Sequence, residues 1–376
     1  MSKKGENIYK RKDGRWEGRY VRSYDVNGKA KFGYVYGKTY CEVKQRLVEM
    51  KNAVLHNAVI TDNRSITYTE LLTAWLNSSK INTKESTYAR YTHLINTHIR
   101  PYLGKYPLFK ITTQLIEEYV EQQLTRGRLD NTGGLSAKTV TDILTIIKST
   151  MEYARYNNLP VVCNLGKLSI KKKDKEMRVF SQAEQDALIQ VLVSEMDLHK
   201  FGVLLSLYTG IRVGELCALK WEDFDLNTGV LKVRKTMQRI QNTENGATTK
   251  TKVIITEPKS SCSIRTIPLP TFISDIAKRY VTSPKAFILT GDNKSFVEPR
   301  TMQNRFKGYV KESGIENANF HALRHTFATR CVEVGFELKS LSEILGHANV
   351  NITLNRYVHS SLELKSINMN KLAFQP

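Results

Sequence analysis

His321-Ala322-Leu323-Arg324-His325-Thr326, running on into Phe327, Ala328 and Val332, sets two imidazoles and a guanidinium within an apolar stretch of helical period. At 3.6 residues per turn, His321 and Arg324 project together. His321 and His325 also stand four apart, as a metal pair would. The zinc-protease pattern, however, needs Glu where Ala322 stands, and Arg324 would repel a cation, so no metal site is expected. Upstream, Thr209-Gly210-Ile211-Arg212-Val213-Gly214-Glu215-Leu216 puts Arg212 and Glu215 at i and i+3, one face of a helix if the segment opens one, and compatible with a simple ion pair. Downstream come Leu345-Gly346-His347 and Asn355-Arg356-Tyr357-Val358-His359. A lone His or Tyr is usually a satisfied core residue, so the order and spacing of the set carry the argument.

The 376-residue chain carries 57 Lys and Arg against 36 Asp and Glu, a formal charge of +21. Hydrophobic residues at 41% are ordinary for a globular protein, so this charge belongs to a folded surface and calls for a polyanionic partner. The longest apolar runs, such as Phe201–Leu205, fall well short of the ~20 residues of a membrane span, and Met1-Ser2-Lys3-Lys4 leads into no apolar targeting core; a cytosolic chain is expected. The five scattered cysteines form no C-x-x-C pair, and no glycine-rich phosphate loop is present, so neither a metal nor a nucleotide cofactor is expected.

Outward from the polar clusters, four segments emerge. In 1–64, Asp13-Gly14 and Asn27-Gly28 separate the short β-type runs Ile8–Lys10, Arg15–Ser23 and Lys31–Tyr36, and the capping box Thr39-x-x-Glu42 opens a helix. This segment holds 15 basic against 7 acidic residues. Arg15, Arg19 and Lys31 are interleaved there with Trp16, Tyr20, Phe32, Tyr34 and Tyr36, which favours nucleic-acid contact over a merely solvated face. Residues 65–164 read as all-helical, with caps at Thr67 and Ser136 and a stripe Tyr88, Tyr91, Ile95, Ile99 that ends at Pro101. Residues 165–178, with Lys171, Lys172 and Lys173, read as a basic linker suited to lie along phosphates. From 179 onward, helices opened by Ser181-x-x-Glu184 mix with a β region at Val230–Val233, Val253–Thr256 and Ile264–Ile267. The expected class is multidomain α+β: a small three-stranded β-sheet plus helix, an all-α bundle, and a mixed, mainly-α domain with a small β-sheet.

Arg212 with Glu215, then His321-x-x-Arg324, His347 and finally Tyr357, in this order and spacing, resemble the signature of the tyrosine recombinase (phage integrase) family. Pro258-Lys259-Ser260-Ser261 before Ser263-Ile264-Arg265-Thr266-Ile267-Pro268-Leu269 is similar to the family's hairpin lysine segment; Lys259 matches best, with Lys252 and Lys250 as neighbours in competition. The resemblance extends to 65–164 as a core-binding, SAM-like domain and to 1–64 as the arm-binding domain of integrases from temperate phages and conjugative transposons. It implies a site-specific recombinase that cleaves and rejoins DNA through a covalent 3′-phosphotyrosine and a Holliday junction. Implied partners are double-stranded DNA with core-type and arm-type sites, a homotetramer on that DNA, and accessory DNA-bending or directionality proteins.

The chemistry fits those residues. Two guanidiniums, Arg212 and Arg324, match phosphate oxygens as forks; Tyr357 supplies the nucleophile; His347 adds a hydrogen bond to the phosphate; His321 accepts the Tyr357 proton; Lys259 protonates the leaving 5′ oxygen; and Glu215 orients its neighbours. A regulator that only binds DNA needs the charge but no tyrosine at that place. A type IB topoisomerase or a chromosome-dimer resolvase uses the same chemistry, although the resolvase usually lacks a segment like 1–64.

Overall fold

A computed structural model describes residues 7–24, 30–63, 66–171, 177–244, 246–257, 261–357 and 369. The chain divides into two compact units, Met1–Lys173 and Asp174–Pro376. It is α+β throughout, and none of its described helices is long and apolar enough to cross a membrane.

The first unit opens with an antiparallel sheet in the order β1 (Ile8–Lys10), β2 (Trp16–Tyr24), β3 (Ala30–Gly37), backed by α1 (Tyr40–Asn63). The expected turn at Asn27-Gly28 lies outside the described residues. Period-two alternation buries Ile8 and Val35 on one face against Val43 and Leu47 of α1. Gly18 permits that approach, since a Cβ there would sit 2.3 Å from Leu47 Cδ1. Then follow α2 (Tyr68–Ser79), α3 (Glu85–Leu94), a π-helical turn at Ile95–Ile99, α4 (Arg100–Leu103), α5 (Thr113–Arg126) and α6 (Ala137–Tyr156). Thr67 and Glu70 close a full capping box, and Ser136 accepts from the Thr139 amide. Helical structure does not stop at Pro101. The π turn carries the chain onward, the Arg100 amide reaching Ile95 O, and Pro101 falls in the first turn of α4, where a missing N–H costs nothing. Leu72, Ile95, Ile99, Ile116, Ile143 and Ile147 form the core of this bundle.

The second unit begins with α7 (Gln182–Val193), capped by the Ser181–Glu184 box, and α8 (Leu198–Thr209), whose run Phe201–Leu205 is buried on every side. After α9 (Val213–Ala218) come β4 (Phe224–Asp225), β5 (Val230–Val233), β6 (Thr236–Gln241), β7 (Thr251–Thr256) and β8 (Arg265–Pro268). The β region expected as one piece is two. β4-β5-β8 form one sheet, while β7 pairs among the described residues with β6, a strand not expected from the sequence. α10 (Thr271–Tyr280), α11 (Pro299–Glu312), α12 (His321–Glu333), α13 (Leu338–Leu345) and α14 (Val350–Tyr357) complete the unit. Gly214 lets α9 lie against β6, because a Cβ there would meet Met237 O and Thr236 Oγ1 at 2.7 Å. The core joins Phe201, Leu216, Trp221, Leu231, Phe306 and Leu323.

Burial predicts where truncation hurts. Ile147 is 0% exposed and Ile81 is 86% exposed. Ile147→Ala is expected to destabilise the first unit by about 2–5 kcal/mol through the cavity left behind. Ile81→Ala is expected to change stability by about 0.5 kcal/mol or less, and urea unfolding followed by circular dichroism distinguishes the two.

Candidate active site

Arg212 is the N-cap of α9. Its backbone amide donates to Glu215 Oε2 at 2.9 Å and its guanidinium to Glu215 Oε1 at 2.7 Å, so the i, i+3 pair forms as a cap as well as an ion pair. Glu215 is 2% exposed. Arg265 of β8 grips the same carboxylate from the other side, with Nη2 to Oε2 at 2.8 Å and Nη1 to Oε1 at 3.2 Å. Burial alone would raise the Glu215 pKa; Arg265 and then Arg212 outweigh it and hold the carboxyl at about 2. Arg265 also donates to Ile344 O at 2.5 Å and Ser263 O at 3.1 Å, tying the end of α13 to the segment that precedes β8.

Arg324, on α12 and 2% exposed, donates through Nη1 to Gly210 O at 2.8 Å and through Nη2 to Leu345 O at 2.6 Å. Gly210 caps α8 and Gly346 caps α13, both in the left-handed region with φ 64° that glycine enters freely. Arg324 Nη2 also stands 2.9 Å from His347 Nε2. Arginine has no lone pair to offer, so Nε2 is the acceptor and Nδ1 carries the ring proton, donated to Thr353 Oγ1 at 2.8 Å. Burial first, then Arg324 and Arg212, push His347 down to about 3. His321 begins α12 with its ring open to solvent on one side; packing on the inner side, His325 and Arg324 push it down to about 4. Both imidazoles are neutral at physiological pH.

Tyr357 ends α14 and is 5% exposed, with its ring parallel to that of His347 at 6.5 Å and packed by Ala328, Cys331, Leu341 and Leu345. Its hydroxyl is 2.9 Å from His325 Nδ1. Burial raises the phenol pKa, opposed by Arg324, Arg356 and Arg212. Among the described residues the hydrogen-bonding partner found for Tyr357 Oη on α12 is therefore His325, one turn beyond the expected His321. Arg212 and His321 line a cavity of about 550 Å³ together with Arg300, Gln303, Lys307 and Asn319.

The structure thus brings together Arg212, Glu215, Arg324, His347 and Tyr357, with His321 beside them. Lys259 lies outside the described residues. Lys252 sits on β7 opposite Ile240 and binds Glu244 at 2.6 Å. Sequence reasoning passed over Arg265, whose signal was an arginine two residues from Ile267, on the inward face of a strand. It also set His325 aside with the metal reading.

Of the basic residues singled out in the first unit, Arg19 lies over the Phe32 ring at 4.3 Å, on the sheet face opposite α1 that also exposes Tyr9, Tyr34 and Tyr36. Arg15 pairs with Asp13 at 2.8 Å and reaches within 6.0 Å of the Tyr36 ring. Glu17 is buried within this face, and hydrogen bonds from Tyr9 and then Arg11 hold its pKa below the usual range. Lys31 is exposed but alternates, with Gly33 and Val35, onto the other face. Lys171 is exposed; Lys172 and Lys173 lie outside the described residues.

Residues 178–363 match the profile of the phage integrase family, and residues 67–123 match that of the phage integrase N-terminal SAM-like domain. A XerC-like tyrosine recombinase of Caldanaerobacter subterraneus is 27% identical over 359 residues, 89% of this chain and 90% of that relative. The ICEBs1 integrase of Bacillus subtilis is 24% identical over 312 residues, 79% of this chain and 80% of that one. Among solved structures, the Tn1549 transposon integrase in complex with a circular intermediate DNA shares the fold at TM-score 0.66 and 23% identity, over 82% of this chain and 100% of that one. A lambda integrase tetramer bound to a Holliday junction aligns at TM-score 0.58 and 19% identity, over 95% and 98%. Two profiles in their expected order and a relative matched along nearly its whole length place the chain in the phage integrase family of tyrosine recombinases, enzymes that break and rejoin DNA strands.

Proposed function

We propose that this chain is the integrase of a mobile element, acting on double-stranded DNA in the bacterial cytosol as a homotetramer with accessory DNA-bending or directionality proteins. In this reading 1–64 binds arm-type sites, 65–164 binds the core site, 165–178 follows the backbone, and 179–376 catalyses. Tyr357 attacks the scissile phosphate to give a 3′-phosphotyrosine. Arg212 and Arg324 hold the non-bridging oxygens, His347 and His321 complete the polar lining, Lys259 protonates the departing 5′ oxygen, and Glu215 positions Arg212. The observation that carries the reading is the convergence of a buried tyrosine hydroxyl with two guanidiniums already fixed by hydrogen bonds, which is what an in-line transfer at a phosphodiester requires. The three-stranded sheet with its arginine and aromatic face favours an element integrase over a chromosome-dimer resolvase, and so does the likeness to the ICEBs1 integrase.

With duplex carrying the element's end junction, the protein is expected to give an SDS-resistant covalent adduct in EDTA, with the phosphotyrosine at Tyr357 by mass spectrometry. Tyr357→Phe is expected to abolish the adduct and leave binding intact. An adduct that persists in that variant, or a strict need for Mg²⁺, overturns the reading. Arg212→Ala is expected to slow single-turnover cleavage by about 10²–10³. Its affinity in gel shifts should change far less, because binding is spread over many basic residues. Arg19→Ala with Tyr34→Ala is expected to weaken arm-site binding and lower its salt slope by about 1, while cleavage of a short core duplex stays at the wild-type rate.

A further inference from the structure

We infer that His325, rather than His321, takes the phenolic proton of Tyr357 as the tyrosine attacks, and hands it back when the strand is resealed. This rests on Tyr357 being the nucleophile.

Nδ1 of His325 is 2.9 Å from Tyr357 Oη, a distance over which a proton passes directly, and both side chains are buried. The two rings meet at 5.8 Å and 47°. His321 lies one turn toward the start of α12 and makes an edge contact with His325 at 4.5 Å between centroids. With Nδ1 as the acceptor that this step requires, the phenol's own hydrogen points to it and the ring proton of His325 is on Nε2. Burial, then Arg356 and Arg324, keep His325 below the usual imidazole pKa, so it is neutral and ready to accept.

In the step, the Oη–P bond forms while the P–O5′ bond breaks. The phenol proton crosses to Nδ1, the bonding pair leaves on O5′, and O5′ takes its proton from a general acid, the part given to Lys259. His325 becomes an imidazolium close to Arg324 and Arg356, which disfavour its charge. The phosphate between Arg212 and Arg324 offsets the arginines at that moment. Resealing reverses each movement: the strand's free 5′ oxygen attacks phosphorus, Oη leaves, and His325 reprotonates it. The arginines that oppose a standing positive charge on His325 thereby favour return of the proton.

The test uses the full-length protein, a nicked duplex carrying the end junction, and single-turnover kinetics. His325→Asn keeps an amide where Nδ1 was but cannot hold a proton; His325→Gln is the second variant in case Asn disturbs α12, and DNA affinity reports that both remain folded. Each is combined with 3,5-difluorotyrosine placed at 357, a more acidic phenol that needs a base less. His325→Asn is expected to slow cleavage by about 10²-fold at unchanged affinity, with about tenfold or more of the loss recovered by the fluorinated phenol. His321→Asn is expected to show no such recovery. Cleavage by both His325 variants within about threefold of wild type, well under a general base's share, overturns the inference. So does a loss that the fluorinated phenol restores only in His321→Asn. An adduct mapped to a residue other than Tyr357 overturns the nucleophile assignment instead.

Discussion

The Glu215 carboxylate, buried between Arg212 and Arg265, is the contact on which the site depends. A carboxylate in that position would be costly alone, and so would the buried Arg265 without it. Together they fix three pieces of chain: the start of α9, the first residue of β8 and, through Ile344 O, the end of α13. Removing Glu215 leaves the buried Arg265 guanidinium without its carboxylate, a loss of about 3–5 kcal/mol in comparable buried pairs. The same contact therefore sets both the stability of the second unit and the aim of Arg212.

The positive crowd has a chemical result. Arg212, Arg265, Arg324 and Arg356 all act to lower the His347 pKa. A protonated imidazole would add repulsion to a site already crowded with like charges, so at rest the histidines are neutral and serve as acceptors or tautomeric donors. The tautomer of His347 is fixed by the Arg324 donor on one side and the Thr353 acceptor on the other.

Much of this was legible in the chain. The caps at Thr67, Ser136 and Ser181 stand where their residue types placed them, because capping is a local exchange between a side chain and its own next turn. Arg212 and Glu215 met for the same reason. What escaped was whatever depended on distant partners. Arg265 reads as an ordinary polar residue until α9 is folded 50 positions away, and His325 gains its meaning only when α14 returns to α12. The split of the β region depends on pairing, which propensity does not specify. Pro101 misled because a π turn, unmarked by any residue type, moved it into a helix's first turn.

The two glycine-capped helix ends that receive Arg324 carry a further consequence. The C-terminus of a helix bears roughly half a negative charge, so α8 and α13 together set about one negative charge against the one positive charge of the guanidinium. Arg324 is buried and hydrogen-bonds to these two helix ends and to His347, with Glu215 adding to the field that favours its charge. Arg212 shares its charge with a carboxylate that stays in place whether or not the arginine does. Loss of Arg324 would do more than subtract a cation: it would leave two negative helix ends uncovered beside the remaining arginines, opposing their pull on the phosphate proposed to bind there.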